Sequence, residues 1–479
     1  MTATSVRVRF APAPTGMMHL GNVRTALMNF LFAQQKQGTF VLRIEDTDQE
    51  RNYDPDAVQI MADLHWLGLI HNEGPGFGGP NEPYFQSQRD NIYQEKLNEI
   101  IAKKIVYRCF CSPEMLEKKR VRQQALGLPP RYDRTCLNLT DAEIADKLAK
   151  NEIFVWRFKL DHAQSVTITD LAHGNVTFEL KNFSDFPITR GDGTCTFIFA
   201  NFVDDMLMKI THIFRGEDHL TNTACQAALF DAFNLPLPIY WHMPILCNIE
   251  GKKLSKRDFG FSLRDLQQAG YLPEAIVNYL AIIGGSYAQE IMTPAELINT
   301  INFENIHTTG QIKYDVEKLR WINRKWIHAY DTQKLAALCK PLLQNAYPQV
   351  ANLANDILVQ LIRAVQQDIT TLADVIPALN FYFNYTEPTP EQIAAYLSAE
   401  FRPQLAQALT QAIEQVEDSA LFVQTLKKDM QHIPAKQLYS TIRLALTGAP
   451  TGPSIVDLMN MLGSQESAKR LRMLIELLT

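Results

Sequence analysis

Val6, Val8 and Phe10 alternate with polar residues at the start of the chain, and this period-2 pattern predicts a strand. A Pro/Gly-rich loop follows. The apolar spacing then becomes helical from Leu20 to Gln35, and Phe40-Val41-Leu42-Arg43-Ile44 reads as a second strand. A strand, helix and strand joined in this way cross over right-handed. The loop after the first strand and the end of the second therefore meet at one carboxyl edge, where open α/β sheets bind ligands. Between Lys103 and about Asp185 the pattern changes to short strands (Phe154–Lys159, Val176–Leu180) around a cysteine cluster, so an insertion is expected there; βα character returns from Thr196. After about Trp326 the period is almost continuously helical, as in Leu358, Ile362, Val365 or Leu405, Leu409, Ile413. Breaks are expected near Pro377, Pro388-Thr389-Pro390 and Gly448-Ala449-Pro450. The chain has no internal repeat and no low-complexity tract.

Length and composition narrow the class. At about 150 residues per domain, 479 residues suggest roughly three domains. With 46% hydrophobic and 20% charged residues the chain can bury cores, which excludes disorder as its main state. No apolar stretch approaches a membrane span, and the first residues lack a secretory pattern, so a cytoplasmic location with no membrane partner is expected. Seven cysteines, an odd number with three crowded into one segment, suit a reducing compartment. The net charge of -6 does not advertise a polyanion partner. Locally, however, Lys103 to Arg134 carries nine basic residues against three acidic ones, a patch that either faces phosphates or is a solvated surface. From Asp331 onward 11 basic and 14 acidic residues give no charge signal for nucleic acid.

Two segments carry candidate phosphate chemistry. In Ala11-Pro12-Ala13-Pro14-Thr15-Gly16-Met17-Met18-His19-Leu20-Gly21-Asn22, the prolines fix an irregular loop. Gly21 removes a side chain where a ring or ribose could lie against backbone. His19 sits where an imidazole and helix N-terminal amides can contact a phosphate together, although a histidine satisfied within its own loop is the plainer alternative. In Gly251-Lys252-Lys253-Leu254-Ser255-Lys256-Arg257-Asp258-Phe259-Gly260, cations on a flexible backbone suit a phosphate whose charge moves toward a leaving group; an ordinary basic surface loop is the alternative. Gly74-Pro75-Gly76-Phe77-Gly78-Gly79 satisfies G-x-G-x-x-G but is followed by Pro80 and Pro83, so it reads as a loop. With no Walker loop either, the NAD and P-loop readings fall together. Cys109-Phe110-Cys111 and, after 24 intervening residues, Cys136 offer three thiolates toward a tetrahedral metal site, or else are reduced, packed cysteines.

Taken together, His19-Leu20-Gly21-Asn22 and Lys253-Leu254-Ser255-Lys256-Arg257 resemble the HIGH and KMSKS signatures of class I aminoacyl-tRNA synthetases, with Asn22 at the last position of the first. Arg9-Phe10-Ala11-Pro12-Ala13-Pro14-Thr15-Gly16, Arg43-Ile44-Glu45-Asp46-Thr47-Asp48 and Phe214-Arg215-Gly216-Glu217-Asp218-His219 narrow the resemblance to the bacterial-type glutamyl-tRNA synthetase family. It implies an α/β fold: a Rossmann-like class I synthetase catalytic domain with an inserted α+β acceptor-binding subdomain, followed by an all-α C-terminal anticodon-binding region. The implied segments are 1–105 and 187–250 for the catalytic domain, 106–186 for the insert, 251–326 for the KMSKS loop and helical connection, and 327–479 for the anticodon region.

The resemblance also implies roles. His19, Lys253, Ser255 and Lys256 would be catalytic, and Ala11, His19, Gly21, Asn22, Lys253, Lys256 and Arg257 would bind ATP, which carries Mg2+. Arg9, Ala11, Ala13, Glu45, Phe197, Asn201 and Arg215 would bind glutamate, with the Arg9 guanidinium on its side-chain carboxylate, Arg215 as a second cation and Glu45 at its ammonium. Ala13 stands where the family usually has serine, and Phe197 keeps the ring of a tyrosine without its hydroxyl. Some members hold zinc on Cys-x-Cys and Cys-x-His; here Asn138 replaces the histidine, so zinc on Cys109, Cys111 and Cys136 would need a fourth ligand from elsewhere. The implied partners are L-glutamate, ATP and tRNA(Glu), for a monomer. The family's anticodon-reading arginine falls near Gln366-Gln367-Asp368, where no arginine stands, so tRNA(Gln) stays open as a second partner. The implied reaction is attack of the glutamate carboxylate on the α-phosphate of ATP, departure of pyrophosphate, and transfer of the glutamyl group to the terminal ribose of tRNA. Lys256→Ala is then expected to lower adenylate formation far more than glutamate affinity; equal losses in both would reduce Lys256 to a positioning role. The rivals are a glutaminyl-tRNA synthetase, whose family carries a β-barrel anticodon region, a small nucleotidyltransferase, and a non-catalytic tRNA-binding paralogue.

Overall fold

The computed structural model describes residues 5–48, 52–255, 257–303 and 310–479. The alternating start forms strand β1 (Arg7–Phe10), the helical stretch α1 (Leu20–Gln35), and the second apolar run β2 (Thr39–Leu42). β1 and β2 pair in parallel with Phe10 opposite Leu42. The second strand ends earlier than its apolar run: Arg43 N still donates to Phe10 O of β1, but Ile44 N turns to Tyr84 O. β1 is tied on its other side to residue 211, where Thr211 N donates to Arg7 O at 2.9 Å.

Helices α2 (Val58–Trp66) and α3 (Asp90–Ala102) follow, then β3 (Val106–Cys109), α4 (Pro113–Ala125), α5 (Asp141–Ala149) and β4 (Val155–Phe158). β3 and β4 form their own antiparallel pair beside the cysteine cluster. The hairpin of β5 (Ser165–Asp170) and β6 (Gly174–Glu179) lies elsewhere. It joins β7 (His212–Gly216) and β8 (Ile239–Met243) in a four-stranded sheet of order β6-β5-β8-β7, with β5 and β7 both parallel to β8. α6 (Phe197–Leu207) and α7 (Leu220–Ala232) flank β7 in sequence, so the βα character expected from Thr196 begins with the helix. Phe199, Phe202, Val203, Ile213, Leu229, Phe230 and Tyr240 close the core between these helices and the sheet, with the Phe202 and Phe230 rings edge to face at 5.0 Å. The Gly74–Gly79 segment is a glycine turn closed by a Gly74–Gly78 bridge, as its prolines predict.

The chain separates into two compact units, residues 1–265 with 277–316, and 266–276 with 317–479. The second is all helix. It breaks where the prolines and glycines predict: one helix ends at Thr447 on Gly448, whose φ of 77° is the left-handed cap that glycine takes at least cost. A further break was not legible. The last helix, Ile455–Leu478, leaves helical geometry at Gly463. Among the described residues no helix is long and apolar enough to cross a membrane.

Several histidines of the first unit are buried or half-buried and resist protonation. Burial holds His19, His71 and His242 below the ordinary imidazole value, and takes His212 and His219 to about 4. The unfolded chain takes up these protons near pH ~6.5, so between there and about 4 it binds more protons than the native state. Stability therefore rises with pH across this window and is lost on acidification, with the raised Glu45 and Asp368 opposing in part. A urea midpoint lower at pH 5 than at pH 7.5 is expected; an equal or higher one at pH 5 contradicts this.

Candidate active site

The carboxyl ends of β1 and β2 bring Arg9 and Glu45 together as the crossover requires, and Glu45 N donates to Pro12 O, holding the loop after β1 against the end of β2. A buried charge network fills the space behind them. Arg43 bonds Asp205 at 2.8 Å and Glu45 at 3.1 Å, and its Nε lies 3.6 Å from Asp204. Burial works against its charge, but three carboxylates raise its pKa above the ordinary arginine value. Arg9 donates through Nε to the same Asp205 oxygen at 3.2 Å. Despite its burial Asp205 is held below the usual carboxylate range by Arg9 and Arg43. Glu45 is pushed up by burial against the pull of the same two arginines, and it accepts from Asn201 Nδ2, whose Oδ1 in turn accepts from Gln226 at 2.8 Å.

Arg215, at the end of β7, has a different environment. It is 6% exposed, it makes no ion pair among the described residues, and it donates to the Thr223 hydroxyl at 2.5 Å. Its Nε is buried without a partner, as are Gln226 Oε1 and Tyr240 Oη. Burial lowers its pKa to about 10. Buried polar groups are normally paired, so an unpaired guanidinium nitrogen, on an arginine that Asp205 and Glu45 attract only from beyond ion-pair reach, marks a place for an anionic ligand.

The phosphate-type loops lie together on the same unit. His19 caps α1: its Nδ1 accepts from Asn22 N at 3.2 Å while Asn22 Oδ1 accepts from His19 N at 3.4 Å. Asn22, the departure from HIGH, thus completes a reciprocal cap. The ring that Gly21 accommodates is the imidazole itself, since a Cβ at Gly21 would stand 3.0 Å from it. The imidazole stacks on Phe261 at 5.3 Å, and Leu20 N donates to Phe261 O, which joins the first loop to the end of the second. Burial, then Lys253, lower the His19 pKa, opposed by Asp218. Lys253 pairs with Asp218 at 3.2 Å, and Asp258 binds both the amide and the hydroxyl of Ser255. Arg257 is exposed. Lys256 lies outside the described residues.

Ala11 is half-buried and Ala13 exposed; Phe197 begins α6 with its ring 6.1 Å from that of His219. The three cysteine sulfurs lie within 4.8 Å of one another. Tyr132 supplies an oxygen there, 3.3 Å from Cys109 Sγ and 3.8 Å from Cys111 Sγ. The basic segment beside them runs along α4, which buries no residue, and several of its cations are engaged: Lys119 with Asp133, Arg120 with Glu117, Arg134 with Asp185.

Sequence reading passed over Asp204, Asp205, Thr223, Gln226, His242, Asp258 and Tyr132. Two adjacent acids inside Phe202-Val203-Asp204-Asp205-Met206-Leu207 were the available signal, because carboxylates in an apolar helix need buried cations. Nothing local distinguishes Thr223 or Tyr132.

Residues 5–321 match the family described as tRNA synthetases class I (E and Q), catalytic domain, and residues 334–475 match an anticodon binding domain. Glutamate–tRNA ligase 1 of Pseudothermotoga lettingae is 38% identical and the glutamate–tRNA ligase of Finegoldia magna 36% identical, each over 98% of this chain and 99% of its own. A crystal structure of a glutamate tRNA ligase from Elizabethkingia meningosepticum in complex with its amino acid is similar at a TM-score of 0.89 and 30% identity, covering 99% of this chain and 100% of that one. Matched over two-thirds of its length by one catalytic-domain family and over nearly all of it by these relatives, the chain belongs to the class I tRNA synthetases of the E and Q group.

Proposed function

We propose that the chain is a glutamate–tRNA ligase of the cytoplasm, acting as a monomer on L-glutamate, ATP with its Mg2+, and tRNA. The observation that carries the reading is the pair of buried arginines, Arg9 and Arg215. Both act electrostatically with one acidic residue, Glu45, on the unit that holds the His19 and Lys253 loops. Two cations and one anion complement a dicarboxylate bearing an ammonium group. Arg9 and Arg215 grip the side-chain carboxylate of glutamate, Glu45 and Asn201 face the ammonium, and Ala11, Ala13 and Phe197 line the remainder. The free carboxylate of glutamate attacks the α-phosphate and pyrophosphate leaves. With His19 Nδ1 occupied by the Asn22 amide, Nε2 carries the proton and donates to phosphate, while Lys253, Ser255, Lys256 and Arg257 stabilise the charge as it spreads. Residues 1–105, 187–250 and 251–326 serve activation, 106–186 the acceptor end of tRNA, and 327–479 its anticodon.

Gln366 spends its amide inside the fold, donating to Ile327 O and Tyr330 O and accepting from Thr332, so it is not free to read a base. With no arginine at positions 366–368, tRNA(Gln) is proposed as a second substrate. The test offers glutamate and glutamine separately with ATP, magnesium and either purified tRNA(Glu) or tRNA(Gln), beside reactions lacking tRNA. Glutamate on both tRNAs is expected, requiring a downstream amidating partner. Glutamate on tRNA(Glu) alone makes the enzyme discriminating, and no charging with either amino acid sinks the synthetase reading.

The donor set fits a structural zinc held by Cys109, Cys111 and Cys136, with the Tyr132 phenol in place of the missing histidine. Such an ion would tie β3 to the segment around Cys136. Elemental analysis is expected to return about one zinc per chain, and Cys111→Ser to lose it. A zinc-free wild-type protein with the same melting point before and after chelation would contradict this.

A further inference from the structure

Two buried arginines of this site are held in opposite ways. Arg43 is surrounded by Glu45, Asp204 and Asp205, so its charge is neutralised within the fold. Arg215 is held by a hydroxyl, and behind that hydroxyl stands a chain of groups reaching back through the sheet. Thr223 Oγ1 lies 2.7 Å from His242 Nε2, and His242 Nδ1 lies 2.6 Å from Asp170 Oδ2. Asp170 is itself immobilised. It accepts from the backbone of Ala172, His173 and His242 and pairs with the His173 ring at 3.0 Å. The Tyr240 ring lies parallel to that of His242, at 5.6 Å and 8°, fixing its plane.

Proton accounting orients the chain. Burial opposes ionisation of Asp170, but its hydrogen bonds from His242 and His173 hold its pKa to about 2, so at neutral pH it is a carboxylate and His242 Nδ1 carries the proton. Nε2 is then an acceptor. A doubly protonated His242 would place two cationic donors, His242 and Arg215, on the one Thr223 oxygen, and burial together with Arg215 lowers the His242 pKa. The single Thr223 hydroxyl proton therefore goes to His242 Nε2 at 2.7 Å in preference to the His219 carbonyl at 3.1 Å, and the hydroxyl oxygen accepts from Arg215.

We infer that Asp170, His242 and Thr223 form a positioning relay that aims the Arg215 guanidinium at the ligand while leaving its positive charge available to it. A carboxylate in Thr223's place would hold Arg215 equally well and would compete with the substrate for its charge. The hydroxyl, polarised by a carboxylate two groups away, orients without neutralising. The inference rests on the proposed reading of Arg215 as a glutamate-binding cation.

Steady-state kinetics on Thr223→Val, Thr223→Ser, Asp170→Asn and Arg215→Gln tests it. Thr223→Val keeps the volume and removes the hydroxyl; it is expected to raise the glutamate KM by about 10- to 100-fold, with the ATP KM within about twofold of wild type. Thr223→Ser restores the glutamate KM to within about threefold, a rescue that packing alone would not produce. Asp170→Asn keeps the shape, removes the charge, and shifts the glutamate KM in the same direction by less. If Thr223→Val does not accumulate as folded protein, Asp170→Asn carries the same decision. A glutamate KM near wild type in Thr223→Val, or in Asp170→Asn where that variant decides, overturns the relay when Arg215→Gln still loses glutamate. A wild-type glutamate KM in Arg215→Gln overturns the reading on which the relay rests.

Discussion

Arg215→Gln lowers kcat/KM for glutamate by about 30- to 5,000-fold, the range that corresponds to ~2–5 kcal/mol for removing one partner of a buried, hydrogen-bonded charge pair. The loss should fall on glutamate and not on ATP, because the histidine and lysine loops are built from other residues. The fold should tolerate the change. Arg215 makes no ion pair among the described residues, so removing its charge strands no paired carboxylate. Steady-state kinetics with glutamate and ATP varied in turn separate the outcomes: a kcat/KM within about threefold of wild type would remove Arg215 from the ligand site.

The second large effect is on stability. Asp204→Ala should cost about 3–5 kcal/mol and lower the unfolding midpoint by roughly 6–20 °C. Asp204 is fully buried and accepts from Arg89 at 2.7 Å, Gln86 at 2.8 Å and Tyr93 at 2.9 Å, with Arg43 at 3.6 Å. Its removal strands the buried Arg89 guanidinium and takes one of three carboxylates from Arg43, the residue that bonds Glu45. Breaking a buried network from one side is far more costly than its net contribution, because the cations left behind cannot reach water. A midpoint within about 2 °C of wild type, measured by calorimetry, would show that water reaches this network and that it does not organise the site.

The contrast between these residues shows what a single sequence can and cannot reveal. β1 and α1 were legible because each has a clean period, and the crossover rule then placed Arg9 and Glu45 on one edge. Arg215 entered through family resemblance, since an arginine in Arg215-Gly216-Glu217-Asp218-His219 reads equally well as an ordinary ion-pairing residue. β5 was missed: along Ser165–Asp170 only Val166 and Ile168 are apolar, with polar residues on the exposed face, and so short an alternation does not stand out. That strand delivers Asp170 to His242, 72 residues away. No local pattern encodes such a pairing; it exists only once β5 and β8 lie side by side. The same is true of Tyr132 among the cysteine sulfurs. The Lys103–Arg134 charge excess was visible, but its ion pairs with Glu117, Asp133 and Asp185 were not.

The central claim is that a dicarboxylate amino acid lies between Arg9 and Arg215 with its activated end toward His19. A crystal structure with a non-hydrolysable glutamyl-adenylate analogue tests it most directly. The account predicts the glutamyl carboxylate within hydrogen-bond reach of both arginines, the ammonium beside Glu45, and the phosphate at His19 Nε2. An analogue bound with its glutamyl group away from Arg9 and Arg215 would contradict it.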